Sequence, residues 1–163
     1  MTDHKPATLT LPSDTEIAME RVFDAPREMV FKACTNPEAI AYWWGPRKYK
    51  TVVDVLEAHT GGAWRFLNIA ADGEEHAFRG EFREITPPER ISYTFEYEGM
   101  PGYITLETIS FEEIEDGRTR MSVLMTFDSK EGRDGMLESG MDGGANESWD
   151  KLDEYLAKEL QKA

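Results

Sequence analysis

Few side chains in this sequence have both the type and the setting to do chemistry. Three histidines are present: His4 near the N-terminus, His59 just before Gly61-Gly62, and His76 at the start of an alternating run. If that run is a strand, His76 shares a face with Phe78 and Phe82. An imidazole at the mouth of an apolar cavity would act as a general base or anchor a polar ligand group. A partly exposed histidine at a strand end explains the same pattern. Glu107 alternates with Tyr103, Thr105, Ile109 and Phe111. Burial among them would raise its pKa, whereas on the convex side it is an ordinary solvated carboxylate. Cys34 is the single cysteine. A thiol becomes a nucleophile beside a base, and no base is near it in sequence, so it reads as a small buried hydrophobe. Trp43, Trp44, Trp64 and Trp149 have indole N–H donors for a ligand or, equally, rings for a core.

The metal and cofactor signatures are missing. There is no His-Glu-x-x-His, no Cys-x-x-Cys, no phosphate-cradling loop and no dinucleotide fingerprint, so neither a metal nor a cofactor is expected. Gly61-Gly62 reads as a turn between strands.

The elements that must position these residues follow from periodicity. Residues 1–13 read as a flexible tail and residues 14–163 as one domain. Thr15 to Phe23 alternates, placing Ile17, Met19, Arg21 and Phe23 on one side of a first strand. Pro26 opens a short helix to about residue 35, with Met29, Val30 and Ala33 at helical spacing. Asn36-Pro37-Glu38 opens a second helix, which Gly45-Pro46 stops after Trp43-Trp44. Period-two segments then follow at 49–58, 63–70, 75–86, 90–98, 103–115 and 119–127, separated by Gly- and Pro-rich turns such as Asp72-Gly73. Such a run predicts an antiparallel meander. Residues 129–139 read as a short helix. Residues 141–161 form a longer one, with Met141, Ala145, Ser148, Leu152 and Leu156 in a stripe, and Asp142, Glu147, Asp150, Asp153 and Glu154 toward solvent.

One long amphipathic helix must cover six or seven twisted strands, so the sheet has to curl around it. A curled sheet gripping one helix leaves room at one end, where ligand sites are favoured. The expected cavity wall is Trp43, Trp44, Phe66, Phe78, Phe82, Tyr93, Phe95, Met125, Met141, Gly144 and Trp149. Gly143-Gly144 inside the last helix costs roughly 1 kcal/mol per glycine relative to alanine, which close approach of helix and sheet would justify.

The charge balance limits the partners. Asp and Glu number 32 against 18 Lys and Arg, a formal charge of −14 in 163 residues. That sign repels phosphate backbones, and the densest basic stretch is only Arg47-Lys48-Tyr49-Lys50, so no nucleic-acid partner is expected. No apolar run is long enough to span a membrane, the N-terminus lacks the pattern of a secretory signal, and the lone cysteine fits a reducing compartment. The expectation is a soluble cytoplasmic protein with no membrane partner.

Several local motifs carry a family resemblance. They are Asp24-Ala25-Pro26 before Val30-Phe31, then Thr35-Asn36-Pro37-Glu38 and Trp43-Trp44-Gly45-Pro46. Further on come Gly61-Gly62-Ala63-Trp64-Arg65-Phe66, Arg79-Gly80-Glu81-Phe82, Pro87-Pro88-Glu89-Arg90-Ile91, Asp116-Gly117-Arg118-Thr119, Ser139-Gly140-Met141 and Ser148-Trp149-Asp150-Lys151-Leu152. In this order, over about residues 15–160, they resemble the START-like (SRPBCC) superfamily. Within it the chain is similar to the C-terminal domain of the activator of the 90-kDa heat-shock protein ATPase and its single-domain bacterial homologues. The resemblance implies an α+β helix-grip (START-like, Bet v-like) fold: a curved antiparallel sheet around a long C-terminal helix, with two short helices after the first strand. Many relatives have tryptophan after the glycine where this chain has Gly144-Ala145, a departure that would enlarge the cavity.

What the resemblance implies for function is binding of a small hydrophobic or aromatic molecule between sheet and helix. A cyclase- or hydrolase-like enzyme using His76 or Glu107 is the alternative. A chaperone-interaction module is a further one, and it ranks last because the eukaryotic co-chaperone has a separate N-terminal domain that this chain has no room for. A homodimer is compatible with the sequence.

Overall fold

The computed structural model describes residues 7–162. Eight strands form one antiparallel sheet: β1 Thr8–Thr10, β2 Glu16–Phe23, β3 Tyr49–Leu56, β4 Ala63–Ala70, β5 Glu75–Thr86, β6 Arg90–Tyr97, β7 Ile104–Ile114 and β8 Arg118–Thr126. Their spatial order is β1-β2-β8-β7-β6-β5-β4-β3. Helices α1 (Arg27–Ala33) and α2 (Pro37–Trp43) lie between β2 and β3, and α3 (Lys130–Glu138) and α4 (Met141–Lys162) follow β8. This is the helix-grip arrangement, with one strand more than the six or seven expected.

The extra strand corrects the reading of residues 1–13 as a tail. Residues 1–6, including His4, lie outside the described residues. From Thr8, however, the chain pairs with β2, Leu9 opposite Met19, and the Ala7 N–H donates to Asn146 Oδ1 of α4 at 2.8 Å. A three-residue strand is too short to show a period, so alternation could not reveal it.

Alternation does separate the two sheet faces. Ile17, Met19, Arg21 and Phe23 of β2, with Thr119, Met121, Val123 and Met125 of β8, are buried on the inner face, and their neighbours point outward. Register shifts at Val53/Val55 and at Phe82/Glu84 mark bulges that bend β3 and β5 around the helices. The helix α4 is about 33 Å long and buries Ser148, Trp149, Leu152 and Leu156.

Of the acidic residues expected in solvent on α4, Asp153 is largely covered, and Asp150, still open to water, also reaches a buried charge. Arg21, buried on the inner face, has Nη1 2.8 Å from Asp150 and Nη2 3.8 Å from Asp153. An arginine inside the sheet needs counter-charges, and α4 supplies them, which locks its rotation against β2. The basic stretch is engaged similarly. The Arg47 guanidinium pairs with Glu154, and the Arg47 backbone N–H donates to Glu147 Oε1 at 3.0 Å. No helix among the described residues is long and apolar enough to cross a membrane.

Candidate functional site: an aromatic cavity under the helices

The site is built around the end of α2. Asn36 caps that helix, its Oδ1 accepting the N–H groups of Glu38 and Ala39 at 2.9 and 3.1 Å. At the other end Trp44 turns extended and Gly45 takes a φ of +88°. Only glycine suits this position twice over. The backbone is left-handed, and a Cβ there would lie 2.7 Å from Asn68 Oδ1. The Thr51 hydroxyl lies 3.0 Å from Oδ1 of buried Asn68 and has the Trp44 carbonyl as the second acceptor for its one proton. This small polar network fixes where the Trp44 ring leaves the backbone.

Under that turn lies a cavity of about 50 Å³ lined by Cys34, Ile40, Trp43, Trp44, Trp64, Phe66, Phe82, Ile91, Tyr93, Phe95 and Ile109. Trp44 closes one side, its ring centroid 5.2 Å from those of Phe66 and Phe78 and 6.5 Å from that of Trp64. Edge-on contacts of this kind are favourable without being rigid. Trp64 owes its position to Gly80, its partner on β5: a Cβ at Gly80 would fall 2.5 Å from the Trp64 Nε1 and 1.8 Å from the Thr94 oxygen. The bare backbone lets the indole lie across it and donate to the Thr94 carbonyl at 3.2 Å. Trp43 donates to the Ala33 carbonyl at 2.9 Å.

Two titratable groups, Cys34 and Tyr93, line this cavity, and a third, Glu107, is bonded to Tyr93 without lining it. The Tyr93 hydroxyl donates to Glu107 Oε1 at 2.9 Å. Burial pushes the Glu107 carboxyl up to about 7, with the Tyr93 hydrogen bond opposing the shift. Burial first, then Glu107, hold Tyr93 well above its usual value. Cys34 is pushed up to about 12 by burial, so it is a thiol and not a nucleophile at neutral pH. Glu107 lies on the inner face: it pairs with Tyr93 on one side and Met125 on the other, and Ile109 follows two positions along.

Of the residues expected to line the cavity, Trp43, Trp44, Phe66, Phe82, Tyr93 and Phe95 come together. Phe78 stands behind Trp44, stacked on Tyr97 at 5.1 Å. Met125 and Trp149 are in the core, and Met141 is partly buried against it, away from the cavity. Gly144 does not line it either, and the proposed reason for the glycine pair is corrected. A Cβ at Gly143 meets nothing within 4 Å, and one at Gly144 meets only Pro46 Cγ at 3.6 Å, so no close approach demands them.

His76 shares the inner face but sits beyond the cavity. Its Nδ1 is 2.7 Å from the Tyr97 hydroxyl and its Nε2 3.2 Å from Glu74, with the Tyr49 ring edge-on at 5.4 Å. His59 lies in an exposed turn, Nδ1 3.1 Å from the Thr60 carbonyl oxygen. The wall residues Cys34, Ile40, Trp64, Ile91 and Ile109 complete the cavity. Trp64 and Ile91 carried a usable signal, since alternation puts them in line with Phe66 and Tyr93. Two wider hollows, of about 460 and 470 Å³, open on the outer face of the sheet among Thr, Ser, Arg and Glu side chains. They enclose nothing.

Comparison with known proteins agrees with this architecture. A protein from Rhodobacter sphaeroides is 26% identical, aligned over 94% of this chain and 99% of its own, with a TM-score of 0.89. A protein from Chromobacterium violaceum is 29% identical over 86% of this chain and 96% of its own, with a TM-score of 0.75. The AHSA1 protein of Silicibacter pomeroyi, at 20% identity over 88% and 99% and a TM-score of 0.73, shares the fold. No curated protein matches. The family model for Activator of Hsp90 ATPase homolog 1-like protein matches residues 24–157, from the Asp24-Ala25-Pro26 corner to the body of α4, and the chain belongs to that family.

Proposed function

We propose that the protein binds a small hydrophobic or aromatic molecule in the cavity beneath the Trp44-Gly45-Pro46 turn. The observation that carries this is the wall itself: nine of its eleven side chains are aliphatic, phenylalanine or tryptophan, and Cys34 and Tyr93 are the other two. Pockets of this make-up suit apolar ligands. At about 50 Å³ the space falls well short of the roughly 150 Å³ of a cavity that takes up benzene. Even a one-ring compound therefore requires the Trp44 ring to swing from its edge-on contacts with Phe66 and Phe78. A panel of one- and two-ring aromatic compounds, each well above its dissociation constant, is expected to raise the melting temperature by mass action. Tryptophan fluorescence should change with it, since three indoles line the site. A broad panel without a shift in either reading sinks the proposal.

Catalysis is the second reading, and one observation favours it: Glu107, its pKa raised to about 7, accepts the hydroxyl of Tyr93, which lines the cavity, so the pair could relay a proton there. His76 is a weaker candidate, being engaged with Tyr97 and Glu74 outside the cavity. Unchanged turnover of a bound compound by the Glu107→Gln variant would end that version.

A further inference from the structure

Beyond Phe78, outside the cavity, three polar side chains meet. Tyr97 on β6 has its hydroxyl 2.7 Å from Nδ1 of His76 on β5, and His76 Nε2 lies 3.2 Å from Glu74 Oε1. A carboxylate only accepts, so in the neutral imidazole the ring proton sits on Nε2 and Nδ1 offers a lone pair. The Tyr97 hydroxyl therefore donates to Nδ1. Nucleophile, base and orienting carboxylate stand in the order on which activated hydroxyls depend.

The two rings are held in place. Phe78 stacks on Tyr97 at 5.1 Å, and the Tyr49 ring stands edge-on to His76 at 5.4 Å. A Cβ at Gly99 would lie 2.4 Å from Tyr97 Cζ and 2.6 Å from its hydroxyl oxygen. Gly99 does not take a left-handed φ, so clearance for the phenol is what favours glycine there. The cluster is also within reach of solvent, with the His76 side chain 24% exposed and Tyr97 half-buried. Other tyrosine hydroxyls are engaged differently: Tyr93 donates to Glu107, and Tyr42 accepts from the Lys158 ammonium.

We propose that Tyr97 is a nucleophile toward small activated acyl donors such as aryl esters, with His76 as its general base and Glu74 positioning that base. This goes beyond the cavity reading and does not depend on it. The Tyr97 oxygen bonds to the acyl carbon as its proton passes to His76 Nδ1. The bond from that carbon to the leaving oxygen then breaks, and the imidazolium returns the proton to the departing group. An acyl ester on Tyr97 and a free phenol remain.

Tyr103 is the internal control, 67% exposed and without an imidazole beside it. The full chain is incubated briefly with 4-nitrophenyl acetate, and peptide mass mapping gives the acetylation rate of each tyrosine. General-base help in a finished active site is worth about a hundredfold or more. For half-buried Tyr97, a rate at least about tenfold above that of Tyr103 is expected. Exposure alone predicts the reverse order. In His76→Gln the Tyr97 rate should fall to that of Tyr103 or below, with the Tyr103 rate unchanged. Glu74→Gln alters an exposed side chain and should slow Tyr97 several-fold. The nitrogen-15 shifts of the His76 ring should change with it, because an amide no longer holds the proton on Nε2. Equal or faster reaction of Tyr103 in the wild type, which needs no variant, overturns the proposal. So does a Tyr97 rate untouched in His76→Gln. An unchanged rate and unchanged shifts in Glu74→Gln overturn the role given to Glu74.

Discussion

Replacing Glu107 with glutamine should stabilise the protein, and by more as the pH rises. Burial keeps the proton on the folded-state carboxyl up to about pH 7, against an ordinary value of 4.5. Between those values the folded chain holds more protons than the unfolded one, so stability falls as pH rises through the interval. At about 1.4 kcal/mol per pH unit, the full cost to the wild type above neutrality is about 3 kcal/mol. The carboxyl is only partly shielded from water, which brings the expected difference to roughly 2 kcal/mol. Glutamine carries no charge and still offers an oxygen to the Tyr93 hydroxyl. The assay is urea unfolding of both proteins at about pH 5 and about pH 8. The variant's advantage should be small at the lower pH and reach its full size at the higher. Taking the difference matters, because other carboxylates titrate in the opposite sense. The Gly102 N–H, then Arg79, holds Glu96 below its usual value, and Arg65 does the same for Glu98. A difference that is the same at both pH values, or that shrinks as pH rises, would refute the reasoning.

Two further outcomes concern residues whose roles are structural. Gly143→Ala and Gly144→Ala should each stabilise α4 by about 1 kcal/mol, raising the melting temperature by roughly 2–4 °C, because neither new Cβ meets an obstacle. Loss of stability in either would show that the start of α4 needs glycine for a reason beyond space. At about pH 8, Cys34 should react with a disulfide reagent roughly a thousandfold more slowly in the folded protein than in denaturant, as its pKa of about 12 stands against 9.0 for a free thiol. Equal rates would mean that the thiol is not enclosed as described.

How much was legible varies by element. The period-two runs located β2 to β8 because one face of each strand is buried and the other is not, and the caps and breakers Asn36, Pro37 and Gly45 bounded α2 for local reasons. Glu107 was different. Alternation placed it with Ile109 and Phe111, but two faces of a strand look alike until the sheet's neighbours are known. The pairing of Glu107 with Tyr93 decided it. Likewise Met125 and Trp149 had the right composition for a cavity wall, but packing used them as core. Asp150 and Asp153 read as solvated helix residues, because nothing local reveals that Arg21, more than a hundred residues earlier, needs them.

The sequence by itself determined the order of elements, the inner face of most strands, and the aromatic supply from which a cavity could be built. Those depend on local sterics and on a hydrophobic period, both written in neighbouring residues. Only the tertiary structure decided which aromatic rings meet around an empty space, which fill the core, and that the Glu107 carboxylate is bonded to one of the lining residues, Tyr93. Close packing sets these outcomes. Whether a ring borders a gap depends on side chains arriving from other strands and helices, such as Gly80 beneath Trp64 or Asn68 beneath Gly45, and no local pattern encodes that meeting.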